Sequence, residues 1–163
     1  MASSAANIEF GPVVVSIKVL PGGSYVDVGY VDNAKIKITK EKQQIRNQYN
    51  MKPILEFNKN WKSTFTGELQ EFTLANLASA FGITDETSPV EILSTFATET
   101  FFAVQVVQTK RGGGTITWEL PYCKAVGEPE IEFKMVDGET RIPITMECEG
   151  DSSDKVLTIT TSA

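Results

Sequence analysis

Apolar residues recur at every second position through most of this chain, and that two-residue period is the strongest limit on how it can fold. From Val13 to Val19 the odd positions Val13, Val15, Ile17 and Val19 are apolar, with Ser16 and Lys18 between them. This is the pattern of a strand with one buried face. Pro21-Gly22-Gly23 ends it; a second strand-like stretch, Tyr25 to Val31, stops at Asp32-Asn33, and a third carries Ile36 and Ile38 between Lys35, Lys37 and Thr39. The pattern returns from Ile54 to Phe57 and from Trp61 to Phe72, where Phe65 and Leu69 share one face and Thr64, Thr66, Glu68 and Gln70 the other. Phe101 to Thr109 and Thr115 to Leu120 form a hairpin around Lys110-Arg111-Gly112-Gly113-Gly114, with Ile116, Trp118 and Leu120 alternating against Thr117 and Glu119. Ile131, Phe133 and Met135, an Asp137-Gly138 turn, Ile142 to Cys148, and a short strand at Val156, Leu157 and Ile159 complete the series.

The period changes once with clarity. Leu74, Leu77, Ala78 and Phe81 lie at i, i+3, i+4 and i+7, Thr73 is a good N-cap, and Gly82 stands where a helix ends in the left-handed conformation. The spacing predicts a short amphipathic helix, about Leu74–Phe81, that covers a sheet face with its apolar stripe. Ser88-Pro89-Val90-Glu91 fits a capping box and leaves open a second short helix over Ile92 to Thr98. With 163 residues, no repeat and no composition break, the expectation is one mainly β domain spanning residues 1–163, a β-sandwich or open barrel.

Composition narrows the chemistry. The chain has no histidine, which excludes imidazole bases and imidazole metal ligands. No other nucleophile, base and orienting partner can be named, so an enzyme, a metal site and a cofactor are not expected. Glu128, Glu130 and Glu132 read as the wet face of a strand, and Glu147, Glu149, Asp151 and Asp154 as a solvated turn lacking the calcium-loop pattern. The glycines after Lys110-Arg111 make a hairpin turn, since no helix follows to receive a phosphate. Cys123 and Cys148 read as two separately placed small residues, with a bridge within or between subunits as the other arrangement. Trp118 is in phase with buried positions; Trp61 is left between core and a stacking platform for a sugar or base.

A formal charge of −6 disfavours tight nucleic-acid binding. Neither a signal peptide nor an apolar run long enough to span a membrane is evident, so the expectation is a soluble chain without membrane insertion. Lys40 to Asn50 is polar apart from Ile45 and Tyr49. It reads as a solvated loop or hairpin extension, or as a contact arm, with a helical turn as one form, that uses Lys42, Ile45, Arg46 and Tyr49 against a neighbouring subunit.

The segment TFTGELQEFTLANLASAFG, Thr64 to Gly82, resembles the strand-to-helix signature of major tail tube proteins of tailed bacteriophages, through Glu68, Leu69, Glu71, Leu74, Leu77 and Gly82. The Val26-Asp27-Val28-Gly29 stretch, the polar excursion between two strands and the single helix extend the resemblance over about two thirds of the chain. Related tube proteins occur in contractile particles without capsids and in type VI secretion systems. The resemblance implies a virion structural protein, assembled in the host cytoplasm. Its hexameric rings would stack into a hollow tail tube for double-stranded DNA and meet sheath, baseplate and terminator proteins. It implies a lumen that DNA passes without tight binding, for which Thr64, Thr66, Glu68, Gln70, Thr117 and Glu119 are the candidate residues. Lys40 to Asn50 becomes the ring-stacking arm, and a Cys123–Cys148 bridge between subunits would make tubes sensitive to reductant. The alternatives are a β-sandwich binding or capsid decoration module, favoured if Trp61 is exposed beside a pocket, and a tube subunit of a DNA-free contractile injection particle.

Overall fold

The computed structural model describes residues 9–46, 49, 53–71, 73–83, 100–110, 112–131 and 140–162. Among them run eight strands and one helix: β1 (Glu9–Leu20), β2 (Val26–Asp27), β3 (Val31–Arg46), β4 (Pro53–Leu69), α1 (Leu74–Phe81), β5 (Phe101–Lys110), β6 (Thr115–Ala125), β7 (Ile142–Cys148) and β8 (Thr158–Thr161). The strands form a single antiparallel sheet in the order β2-β1-β5-β6-β7-β4-β3, with β8 added to β6. The fold is therefore mainly β, an open barrel that does not close.

One face of this sheet is the core. Val15 and Ile17 of β1, Phe102, Val104 and Val106 of β5, Leu120 and Cys123 of β6, Ile142 to Cys148 in alternation on β7, and Phe65 and Leu69 of β4 are all buried. Each large side chain there contributes about 1.5–3 kcal/mol by leaving water, and the period-2 alternation puts most polar neighbours on the opposite face, while the buried Ser63 of β4 donates its hydroxyl to the Val156 carbonyl. The two ends of the sheet approach through the corner at Val28 to Tyr30. Val28 N–H donates to the Val15 carbonyl, and Gln70 N–H donates to that of Tyr30.

Several boundaries differ from the sequence reading. Asp32-Asn33 is not a turn: Asn33 adopts φ 54° inside β3, at a bulge where the pairing shifts between Asp32 and Lys35. Asparagine tolerates that left-handed backbone, so the strand bends there and continues. The second strand shrinks to Val26–Asp27, the two stretches on either side of Trp61 are one strand, and the last strand begins at Thr158. Ile131 is not in a strand; residues 132–139, with Phe133, Met135 and the expected turn at Asp137-Gly138, lie outside the described residues, as do the capping box at Ser88 and the residues Ile92 to Thr98, for which the sequence leaves a second short helix open.

Strand β6 divides its second edge. Residues 116–119 pair with β8, while Cys123 to Ala125 pair with β7. The β6–β7 seam is thus three residue pairs long, and the Cys123–Cys148 disulfide lies in it. The bond is within one chain and fully buried. That overturns both the reading as separately placed residues and the arrangement between subunits, because Cys123 and Cys148 are direct register partners.

Candidate functional site

Helix α1 sits where the sequence places it. Thr73 accepts from Asn76 N–H at 3.1 Å, and Gly82 closes the helix at φ 72°. Its packing face keeps Leu77 and Ala78 of the expected stripe but is rotated away from Leu74. The buried residues are Asn76, Ala78, Ser79 and Ala80, Leu77 is partly buried against the core, and Leu74 is 43 % exposed. Asn76 causes the rotation: its Nδ2 donates to the carbonyls of Val28 at 3.0 Å and Glu71 at 2.8 Å, which ties the helix to the sheet corner through a polar side chain. The Glu71 carboxylate in turn lies where a side chain on Gly29, at φ 80°, would stand. The Val26 to Gly29 stretch and the Glu68 to Gly82 segment, distant in sequence, therefore meet here.

A face of small residues cannot fill the space beneath it. A cavity of about 280 Å³ remains between β1, β2 and α1, lined by Ile17, Val19, Val26, Val28, Ala75 and Asn76 among others.

The candidate lumen residues all lie on the non-core face, half-exposed, in two groups. On β4, Thr64 stands opposite Glu147 and Thr66 opposite Thr145. Glu68 accepts from Arg141 at 2.9 Å, Arg141 is also 2.9 Å from Asp32, and Gln70 donates to Asp32 at 2.8 Å. On β6, Thr117 and Glu119 stand opposite Val107 and Gln105. Tyr25 Oη donates to Glu119 at 2.6 Å, while Lys18 Nζ lies 5.7 Å from the Tyr25 ring centroid. Burial, and then the Glu119 carboxylate, push the Tyr25 hydroxyl above the usual tyrosine range. Both signs of charge thus alternate on this face and are locally matched.

The segment at 40–50 is neither a loop nor a helical turn over its described first part. Lys40 to Arg46 continue β3 and pair with β4 as far as Arg46↔Pro53. Strand β4 meets β7 only from Ser63 to Leu69, so beyond Ser63 the two strands run on as a ribbon with no third strand among the described residues. Of the candidate contact residues, Lys42, Ile45 and Arg46 are on this ribbon and Tyr49 is beyond its end, 96 % exposed. Ile45 is directly opposite Leu55, and the two are 49 % and 53 % exposed.

No family model matches the chain, and no curated protein matches it. Among solved structures, a crystal structure of an Hcp protein is similar over 94 % of this chain and 99 % of that one, at 11 % identity and a TM-score of 0.39. That likeness decides nothing about fold or function.

The two tryptophans separate. Trp118 is partly buried against the core, whereas Trp61 is 46 % exposed at the foot of the ribbon, with Lys40 Nζ 4.3 Å from its ring centroid. Trp61 lines an open cleft of about 620 Å³ with Glu41, Asn60, Lys62, Glu149 and Asp154. Lys62 bonds Glu147 at 3.1 Å and lies 3.7 Å from Glu41, and these carboxylates raise its pKa. Asp151, beyond the cleft, accepts from the N–H groups of Ser153 and Lys155; those bonds hold its carboxyl below the usual range.

Sequence reasoning missed Asn76, Tyr25 and Arg141. Asn76 lies off the apolar stripe Leu74, Leu77, Ala78 and Phe81, so nothing local signals its burial; Tyr25 and Arg141 act across 94 and 73 residues of chain, a separation no local pattern reports.

Proposed function

We propose that this chain is a structural protein that associates with its own copies into hexameric rings, which stack into a hollow tube. The ribbon carries the proposal: two paired strands extend beyond the sheet, exposing Ile45, Leu55 and Tyr49 to solvent. Exposed apolar residues on a protruding, edge-bearing element are suited to a partner surface, because an unpaired edge in isolation favours uncontrolled pairing. In this reading the polar face of β4 and β6 lines the channel, where matched charges offer double-stranded DNA little counterion release and so little adhesion. As the resemblance to tail tube proteins implies, the tube belongs to a phage tail assembled in the host cytoplasm and meets sheath, baseplate and terminator proteins.

Negative-stain electron microscopy of the purified chain over a concentration series tests this. Rings with six-fold symmetry or hollow rods are expected; a chain that stays monomeric even with tail-tip components present overturns the reading. Glu68→Lys together with Glu119→Lys should slow DNA passage through assembled tails, and unchanged ejection would move these residues away from the channel.

A second reading rests on Trp61. An exposed indole beside carboxylates and an amide in an open cleft is chemistry suited to stacking a sugar ring, the mark of a carbohydrate-binding module. Tryptophan fluorescence titrated with oligosaccharides, with Trp61→Phe as control, decides it; a response that survives the substitution removes this reading.

A further inference from the structure

The ribbon and the rest of the chain carry opposite charge. Residues 39–62, which span the parts of β3 and β4 beyond Ser63, hold six Lys or Arg and two Asp or Glu, a net of +4, whereas the remainder holds nine and nineteen, a net of −10. The segregation coincides with the element that, among the described residues, extends beyond the rest of the sheet. Along the ribbon part of β3, Lys40, Lys42 and Arg46 are exposed, and Ile45 with Leu55 forms an exposed apolar pair beside them.

The body holds a counterpart. The cavity between β1, β2 and α1 is walled by Ile17, Val19, Val26 and Val28 together with the polar Ser24, Asn76 and Ser79, and it stays open because α1 presents only small side chains to it. At about 280 Å³ it exceeds the ~150 Å³ of an apolar cavity that admits a benzene ring, so a branched aliphatic side chain has room. Two residues with exposed carboxylates adjoin its wall residues: Asp27 in sequence, between Val26 and Val28, and Glu71 through its backbone carbonyl, which accepts from Asn76. A mainly apolar hollow with acidic neighbours complements an apolar pair with basic neighbours in both respects.

We propose that the basic ribbon of one copy seats its Ile45–Leu55 pair in the cavity between β1, β2 and α1 of a second copy, with Arg46 directed at Asp27 and Glu71. This rests on the self-associating reading above and names the partner surface it lacks. Donor and acceptor are different patches, so the contact is heterologous and repeats head to tail, as rings or filaments require. Opposite charge supplies register and rate of encounter, and the apolar pair supplies affinity.

The test is association of variants by sedimentation velocity, with electron microscopy of the same samples. Wild-type association should weaken roughly tenfold between low and high salt, since several exposed pairs are screened together. Arg46→Glu and Glu71→Lys should each abolish self-association, and mixing the two should restore pairwise association. Ala75→Leu, which fills the cavity without touching charge, should block it, with circular dichroism confirming that each variant folds. Restored association in the mixture supports the proposal whether or not rods are seen; the presence of rods decides the tube reading separately. Rods that form unchanged from both variants overturn the proposal while leaving the tube intact, and reduce the lysines to guards of an open edge. Salt-sensitive binding of duplex DNA that Arg46→Glu removes, with self-association unaffected, overturns it in favour of a nucleic-acid contact.

Discussion

Strands β3 and β4 each belong to two regions, and the contrast between their inner and outer halves explains more of this molecule than either region alone. In the inner half, β4 is flanked by β7 from Ser63 to Leu69, Phe65 and Leu69 are fully buried, and Glu68 is matched by Arg141. In the outer half the same two strands pair only with each other, Ile45 and Leu55 stand in solvent, and positive charge accumulates. Apolar alternation marks the inner half, whereas the outer half of β3 is polar apart from Ile45. A third strand makes one half a wall of the core, and its absence among the described residues makes the other half a surface to be used.

Mutations that separate folding from association sharpen this contrast. Phe102→Ala removes a fully buried ring from the body and should destabilise the monomer by about 3–5 kcal/mol. Ile45→Ala on the ribbon should stay within about 0.5 kcal/mol. Denaturant unfolding under dilute conditions measures both, and comparable losses would show that the ribbon is part of the folding unit. Next in size, replacing Cys123 and Cys148 together by alanine releases a loop of sequence separation 25, worth about 3.5 kcal/mol in the chain-entropy model. A fall in melting temperature as large as that from mild core truncation is expected; an unchanged value would mean the short β6–β7 seam holds without its bridge.

Asn76→Ala leaves two carbonyls without their donor and should cost about 1–3 kcal/mol, loosening the helix before the sheet. Hydrogen exchange should then rise in α1 and at Val28 to Tyr30; uniform loss across the sheet would contradict a local role. The smallest effect concerns pH. Because burial and Glu119 raise the Tyr25 pKa in the fold, the folded chain holds that proton more tightly than the unfolded one. Its contribution is intact below roughly pH 10, the ordinary tyrosine value, and is lost as pH climbs beyond it. Tyr25→Phe should flatten the alkaline arm of the stability curve, and an identical arm in the variant would discount the bond to Glu119.

Local chemistry determined a good deal of this structure from the sequence alone. The mainly β class follows from period-2 alternation, the limits of α1 from Thr73 and Gly82, and the β5–β6 hairpin from its glycine turn, because strand faces, caps and tight turns depend on residues a few positions apart. Which side of α1 is buried was decided by Asn76 reaching Val28, 48 residues away, against the apolar stripe that sequence spacing offers. The pairing of Cys123 with Cys148, the matching of Glu68 by Arg141, and the division of β3 and β4 into wall and ribbon likewise depend on which strand lies beside which. Sheet neighbours are chosen by the summed burial of whole faces, so no short window of residues contains that information, and the tertiary structure alone shows where the polar faces and the charged ribbon point.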